Sequence, residues 1–80
     1  MRPTWDQEKV AVMLTILRLK FLIPRLADAL VATGDATLVE GNFWGDQFWG
    51  VSKGTGKNHL GRLLMQVREE IRLKRSSQPV

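Results

Sequence analysis

Cysteine is missing from all 80 residues, and histidine occurs once, at His59. Without cysteine there are no disulfides and no thiolate metal site. A lone imidazole cannot build a histidine-rich metal centre, so no metal and no cofactor are expected. The chain also lacks any apolar run near the roughly 20 residues that a membrane span needs. Its opening residues, Met1-Arg2-Pro3-Thr4-Trp5-Asp6-Gln7-Glu8, hold no apolar signal core. The expectation is a cytoplasmic protein that does not engage a membrane. Internal repeats and low-complexity segments are absent too. Eighty residues make one domain, and such a short chain buries only about 60% of its unfolded surface, which leaves a thin stability margin.

What the chain does have is a basic half. From Lys53 onward seven basic residues stand against two acidic ones, so the last 28 residues carry +5 of a net +4, and the first 52 sum to −1. A basic half favours phosphate-bearing partners, nucleic acid or a nucleotide diphosphate. An ordinary solvated helix face ending in a basic tail would give the same count.

Helical spacing recurs in three places. Thr4 with Gln7 fits a capping box, and Val10, Met13, Leu14, Leu17 and Phe21 then fall on one stripe. Pro24 suits the first turn of a second helix with Leu26, Leu30 and Val31 inward, and Thr33-Gly34 reads as its C-cap. Thr37-Leu38-Val39 has the composition of a short strand. The third helix should begin at Asn58, with Leu60, Leu63, Leu64, Val67 and Ile71 on one face and an i,i+4 pair between Glu70 and Lys74. The fold class is therefore mainly α, with three helices, at most one short strand and a long loop from Gly41 to Lys57. Residues 1–75 form the domain and 76–80 a disordered tail. The apolar stripes are generous for three helices, which implies a homo-oligomer or a partner chain that completes the core.

The long loop is the chemically unusual part. Two of the three tryptophans, Trp44 and Trp49, and five of the seven glycines lie between Gly41 and Gly56. Glycine allows close backbone approach, and tryptophan offers a flat face, a combination suited to a flat ligand. Gly54-Thr55-Gly56-Lys57-Asn58 is not a P-loop, because Val51 and Asn58 stand where that motif needs Gly and Ser or Thr. A Gly-rich turn feeding a helix N-terminus still has anion-binding geometry, or is a plain turn with an N-cap. Asp46 precedes Trp49 by three residues, and Glu40 is a second carboxylate. An acid beside an aromatic face can support cleavage at an anomeric carbon. From spacing alone, Asp46 capping a turn and Trp49 filling half-buried core is the favoured account. A Ser/His/Asp triad has no support, since Ser52 lacks a nucleophile-elbow context.

Several blocks together resemble a known family. They are W-x-x-x-K-x-x-V-M from Trp5 to Met13, Lys20-Phe21, L-x-x-T-G-D-A-x-L-V-E from Leu30 to Glu40, D-x-F-W-G from Asp46 to Gly50, and G-x-G-x-N-x-L-G-x-L-L-M-x-V-R-E-E from Gly54 to Glu70. In order and spacing they are similar to the C-terminal half of the NADAR (YbiA-like) family. The resemblance implies a truncated YbiA-like fold and N-glycosidase chemistry on ribose-phosphate N-glycosides or ADP-ribose, with ADP-ribosylated nucleic acid as a further partner. It makes Asp46, Glu40 and Trp49 the catalytic candidates. Trp44, Phe48, Gly50, Lys53, Gly54, Gly56, Lys57, Asn58 and Arg62 become the ligand-binding candidates. The family's N-terminal half, with an S-E-H-Y-x-Q-like motif and its catalytic Glu, has no counterpart here, so the chain reads as a short form or a fragment. Two other functions fit the residues: a non-catalytic module that binds or sequesters an ADP-ribose-like nucleotide, and an interaction module using the Trp/Gly loop.

Overall fold

A computed structural model describes residues 3–39, 41–42, 48–52 and 54–77. Helix α1 spans Pro3–Lys20, α2 spans Pro24–Ala32 and α3 spans His59–Ser77. Two strands of two residues each, β1 (Gly41–Asn42) and β2 (Val51–Ser52), pair in parallel with Gly41 opposite Val51. The three-helix, mainly α architecture read from the sequence is the one observed. Its strand content lies at Gly41–Asn42 and Val51–Ser52 rather than at Thr37–Val39, which is irregular.

Most of the sequence signals for the helices hold, and one does not. Pro3 already belongs to α1, so Thr4 lies inside the helix and not before it as a capping box requires. Arg18 and Lys20 occupy the last turn, where cations suit the helix dipole. Ile23 is extended ahead of Pro24, and the proline opens α2 where its missing N–H costs nothing. At the other end Thr33 and Gly34 donate their N–H groups to Leu30 O (3.2 Å) and Val31 O (3.0 Å). Gly34 takes φ +65°, a left-handed value that glycine adopts without a Cβ penalty. The C-cap is where the sequence places it.

Helix α3 packs on both other helices. Leu17 from α1, Leu30 from α2, and Leu63 and Val67 from α3 are buried together, and Val10, Met13, Leu14, Phe21, Leu38, Trp49, Leu60, Leu64 and Ile71 pack around them. These are the predicted stripes of α1 and α3. The helix also runs further than expected: Ser76 and Ser77, assigned to the tail, form its last turn.

Three arginines of the basic half, Arg68, Arg72 and Arg75, are engaged within the molecule. Arg68 is only 6% exposed and donates from Nη1 to Thr33 Oγ1 (2.8 Å) and Ala36 O (2.9 Å). Thr33 in turn donates its hydroxyl to Leu30 O, so Arg68 ties α3 to the C-terminus of α2. Arg68→Ala would leave that turn without its buried donor and should cost about 2–3 kcal/mol, read as a lower midpoint in urea unfolding with the slope unchanged. Arg72 pairs with Asp35 (2.8 Å) and Arg75 with Asp28 (2.7 Å). Glu70 does not pair with Lys74: both its oxygens receive the Arg18 guanidinium, at 3.0 and 2.7 Å, and Gln66 donates to it as well. Those hydrogen bonds, Arg18 first, hold the Glu70 carboxyl below its ordinary pKa.

Candidate functional site around the start of α3

Residues 48–52 and 54–58, ahead of α3, are held by backbone contacts, and the closest of these, at Gly56, only glycine permits. Asn58, His59 and Leu60 donate their N–H groups to the carbonyls of Gly50 (3.3 Å), Phe48 (3.1 Å) and Trp49 (2.8 Å). The first N–H groups of a helix normally lack partners and attract anions. Here Phe48 and Trp49 take those of His59 and Leu60, and Gly50 takes that of Asn58 just before the helix. The start of α3 is therefore a clamp on the Phe48-Trp49-Gly50 backbone, not the open phosphate cradle its sequence suggests. Gly56 lies so close that a Cβ there would strike Gly50 O and come within 3.0 Å of Val51 Cα. Ser52 and Thr55 exchange backbone hydrogen bonds at 2.8 and 3.0 Å, which closes the turn carrying Gly54.

The clamp fixes two aromatic side chains. Phe48 and Trp49 meet edge to face with ring centroids 4.7 Å apart, and Phe48 also packs on His59 at 4.6 Å. The Lys9 ammonium sits over the Phe48 ring at 3.9 Å, within cation–π range, and that of Lys57 lies 5.9 Å from it. Trp49 is half-buried and reaches into an apolar groove of about 330 Å³ shared with Trp5, Val12, Met13 and Ile16 of α1. A second hollow of about 350 Å³ opens between Asp6, Gln7, Lys57 and His59. One Asp6 oxygen there is screened from solvent without a hydrogen bond, and Lys9 Nζ lies 3.6 Å from it.

Of the sequence-predicted site residues, Phe48, Trp49, Gly50, Gly56, Lys57 and Asn58 come together at this clamp. Arg62 is exposed one turn into α3, and Gly54 is exposed at the tip of the turn. Asn58 has φ +54°, donates from Nδ2 to Leu38 O (2.9 Å) and accepts the Arg62 N–H, so it fastens Leu38 across the start of α3. Glu40, Asp46, Trp44 and Lys53 lie outside the described residues. Among the described residues no three His, Asp or Glu side chains gather as metal ligands. No described helix is long and apolar enough to cross a membrane.

His59 is the residue the sequence reading passed over. Nothing in its spacing shows that it packs on Phe48, eleven positions earlier. Burial first, and then the charges of Arg62, Lys57 and Lys9, push its pKa below the ordinary value, while Asp6 opposes them. Folding thus favours the neutral imidazole. Its contribution is intact above about pH 6.5 and is lost as the pH falls from there through the lowered folded-state pKa. Thermal unfolding measured from pH 7.5 to 5.0 should show the decline, and His59→Gln should flatten it before carboxylate titration begins.

The clamp and its aromatic pair are built from D-x-F-W-G and G-x-G-x-N-x-L-G, and a family model described as the NADAR domain matches residues 1–72. The chain belongs to the NADAR family. An N-glycosidase of Nostoc punctiforme is 45% identical over 74 residues, covering 90% of this chain and 47% of that protein. The N-glycosidase YbiA of Escherichia coli is 40% identical over 77 residues, covering 94% of this chain and 48% of YbiA. A chloroplastic riboflavin biosynthesis protein, PYRR of Zea mays, is 43% identical over 72 residues, 88% of this chain but 11% of its own. This NADAR chain spans about half the length of the two N-glycosidases. No solved structure matches it significantly.

Proposed function

We propose that this NADAR chain forms one wall of an N-glycosidase pocket for ribose-phosphate N-glycosides or ADP-ribose. Trp49 serves as the platform on which the base or sugar stacks. Asp46 and Glu40 supply the acid/base and charge-stabilising groups. As the oxygen of water bonds to the anomeric carbon, one carboxylate takes its proton. The C–N electron pair leaves with the base, which the other carboxyl group protonates. Negative charge beside the ring also steadies the oxocarbenium-like transition state. Lys53, Lys57 and Arg62 are the cations offered to the phosphate. Among the described residues, Lys57 and Arg62 are in no ion pair, unlike Arg72 and Arg75.

The observation that carries this reading is the clamp. It fixes the backbone of Trp49, three residues after Asp46, and sets its ring against an open groove. Two relatives that match along nine-tenths of the chain are named N-glycosidases. A second reading, capture of the nucleotide without hydrolysis, is supported by the apolar groove beside the Trp49 ring, which offers a stacking face for a flat base. Incubation with ADP-ribose and with a ribose-phosphate N-glycoside, following binding heat and free base together, separates the two. Base release supports hydrolysis, binding heat alone supports capture, and neither signal removes both.

A further inference from the structure

The start of α3 carries the clamp, but its later turns line a different hollow. A recess of about 330 Å³ lies where α3 passes the end of α1 and the start of α2. Phe21, Ala27, Val67 and Ile71, all buried or half-buried, give it an apolar floor. Leu22, in the turn between α1 and α2, stands beside them and is 68% exposed. Arg18, Lys74 and Arg75 supply a basic rim, and Glu70 is the one carboxylate among the described lining residues.

The charges on that rim do not cancel. Both oxygens of Glu70 are taken by Arg18, at 3.0 and 2.7 Å, and Arg75 is matched by Asp28 at 2.7 Å. Lys74, one turn past Glu70, forms no ion pair among the described residues. An apolar floor thus lies beside one uncompensated cation.

We propose that this recess is a second ligand site, for a small molecule with an apolar body and one anionic group, carboxylate or phosphate. Size and charge select that occupant. A volume of about 330 Å³ is near the lower end for small-molecule pockets and does not bury a helix about 10 Å across. The apolar body takes the floor and Leu22 out of water. Its anionic group meets Lys74, and Arg18 and Arg75, each about half exposed, add to the attraction. Such a ligand touches all three helices at once, so binding should stabilise the fold. Lys74 lies about 22 Å along α3 from His59, so the inference does not rest on the hydrolytic reading of the Trp49 groove.

The test is an amide-resolved NMR titration of the full chain with naphthoate and with naphthyl phosphate, neutral naphthalenemethanol serving as the control. The expected result is saturable shifts at residues 18–27 and 67–75, with the better anion bound about fivefold or more above the alcohol. Which anion binds better identifies the head group, and either supports the proposal. Lys74→Glu reverses one exposed charge and should weaken the anion about tenfold while leaving the alcohol almost unchanged. Leu22→Asp should weaken all three probes. Both side chains are exposed, so both variants should melt near the parent. Absence of binding overturns the proposal, as do equal binding of alcohol and anions, shifts confined to Trp5 and Trp49, or indifference to Lys74→Glu. Shifts at the recess that grow with protein concentration alone would mark a second copy as the occupant and overturn it too.

Discussion

Gly61→Ala should destabilise the fold by about 2–3 kcal/mol, lowering the unfolding temperature by roughly 10–20 °C for a domain of this size. The sign is opposite to what helix propensity gives, since alanine inside a helix is ordinarily better than glycine by up to about 1 kcal/mol. Gly61 is buried in α3 where Leu38 crosses the helix. A Cβ would strike Leu38 O and lie 2.5 Å from both polar atoms of the Asn58 amide, the group that holds Leu38 O. Relief requires moving backbone and not a flexible side-chain tip, and it would loosen the clamp on residues 48–50. Gly34→Ala is the comparison: its Cβ would meet nothing within 4 Å, so only its left-handed φ opposes the change. A melt of the two variants beside the parent checks the order, with Gly61→Ala the lower.

Asp46→Ala should reduce base release by about 10²- to 10⁴-fold, the range that one positioned acid or base contributes. Binding of the ribose-phosphate ligand should change far less, because the carboxylate is proposed to act on charge that develops in the transition state. Trp49→Ala should do the reverse and weaken binding by the loss of a stacking face, about 1–3 kcal/mol. Single-turnover release and calorimetric titration on the same variants separate the two roles. Equal losses in binding for both would assign Asp46 to ligand recognition.

The helices were legible in the sequence because their information is local. The stripe from Leu60 to Ile71, proline at the start of α2 and glycine past its end each specify their own element. The clamp was not legible. Its hydrogen bonds join Phe48, Trp49 and Gly50 to residues about ten positions later, and a glycine-rich turn before a helix reads the same whether its N–H groups are free or taken. Arg68 was hidden for a related reason: beside Val67 on an amphipathic helix it looks like any solvated cation, until Thr33 and Ala36 are seen to receive it. The Thr37–Val39 segment has strand-forming residues but no strand beside it. Leu38 gives its N–H to the Met65 sulfur (3.5 Å) and its carbonyl to Asn58. The family blocks, by contrast, were readable as written, and the family model covers the same residues.

The most direct test of the account is the time course of free base from a ribose-phosphate N-glycoside incubated with this protein. The account predicts repeated turnover that the Asp46→Ala, Glu40→Ala double variant abolishes while the heat of ligand binding persists. Release at the parental rate from that variant would contradict it.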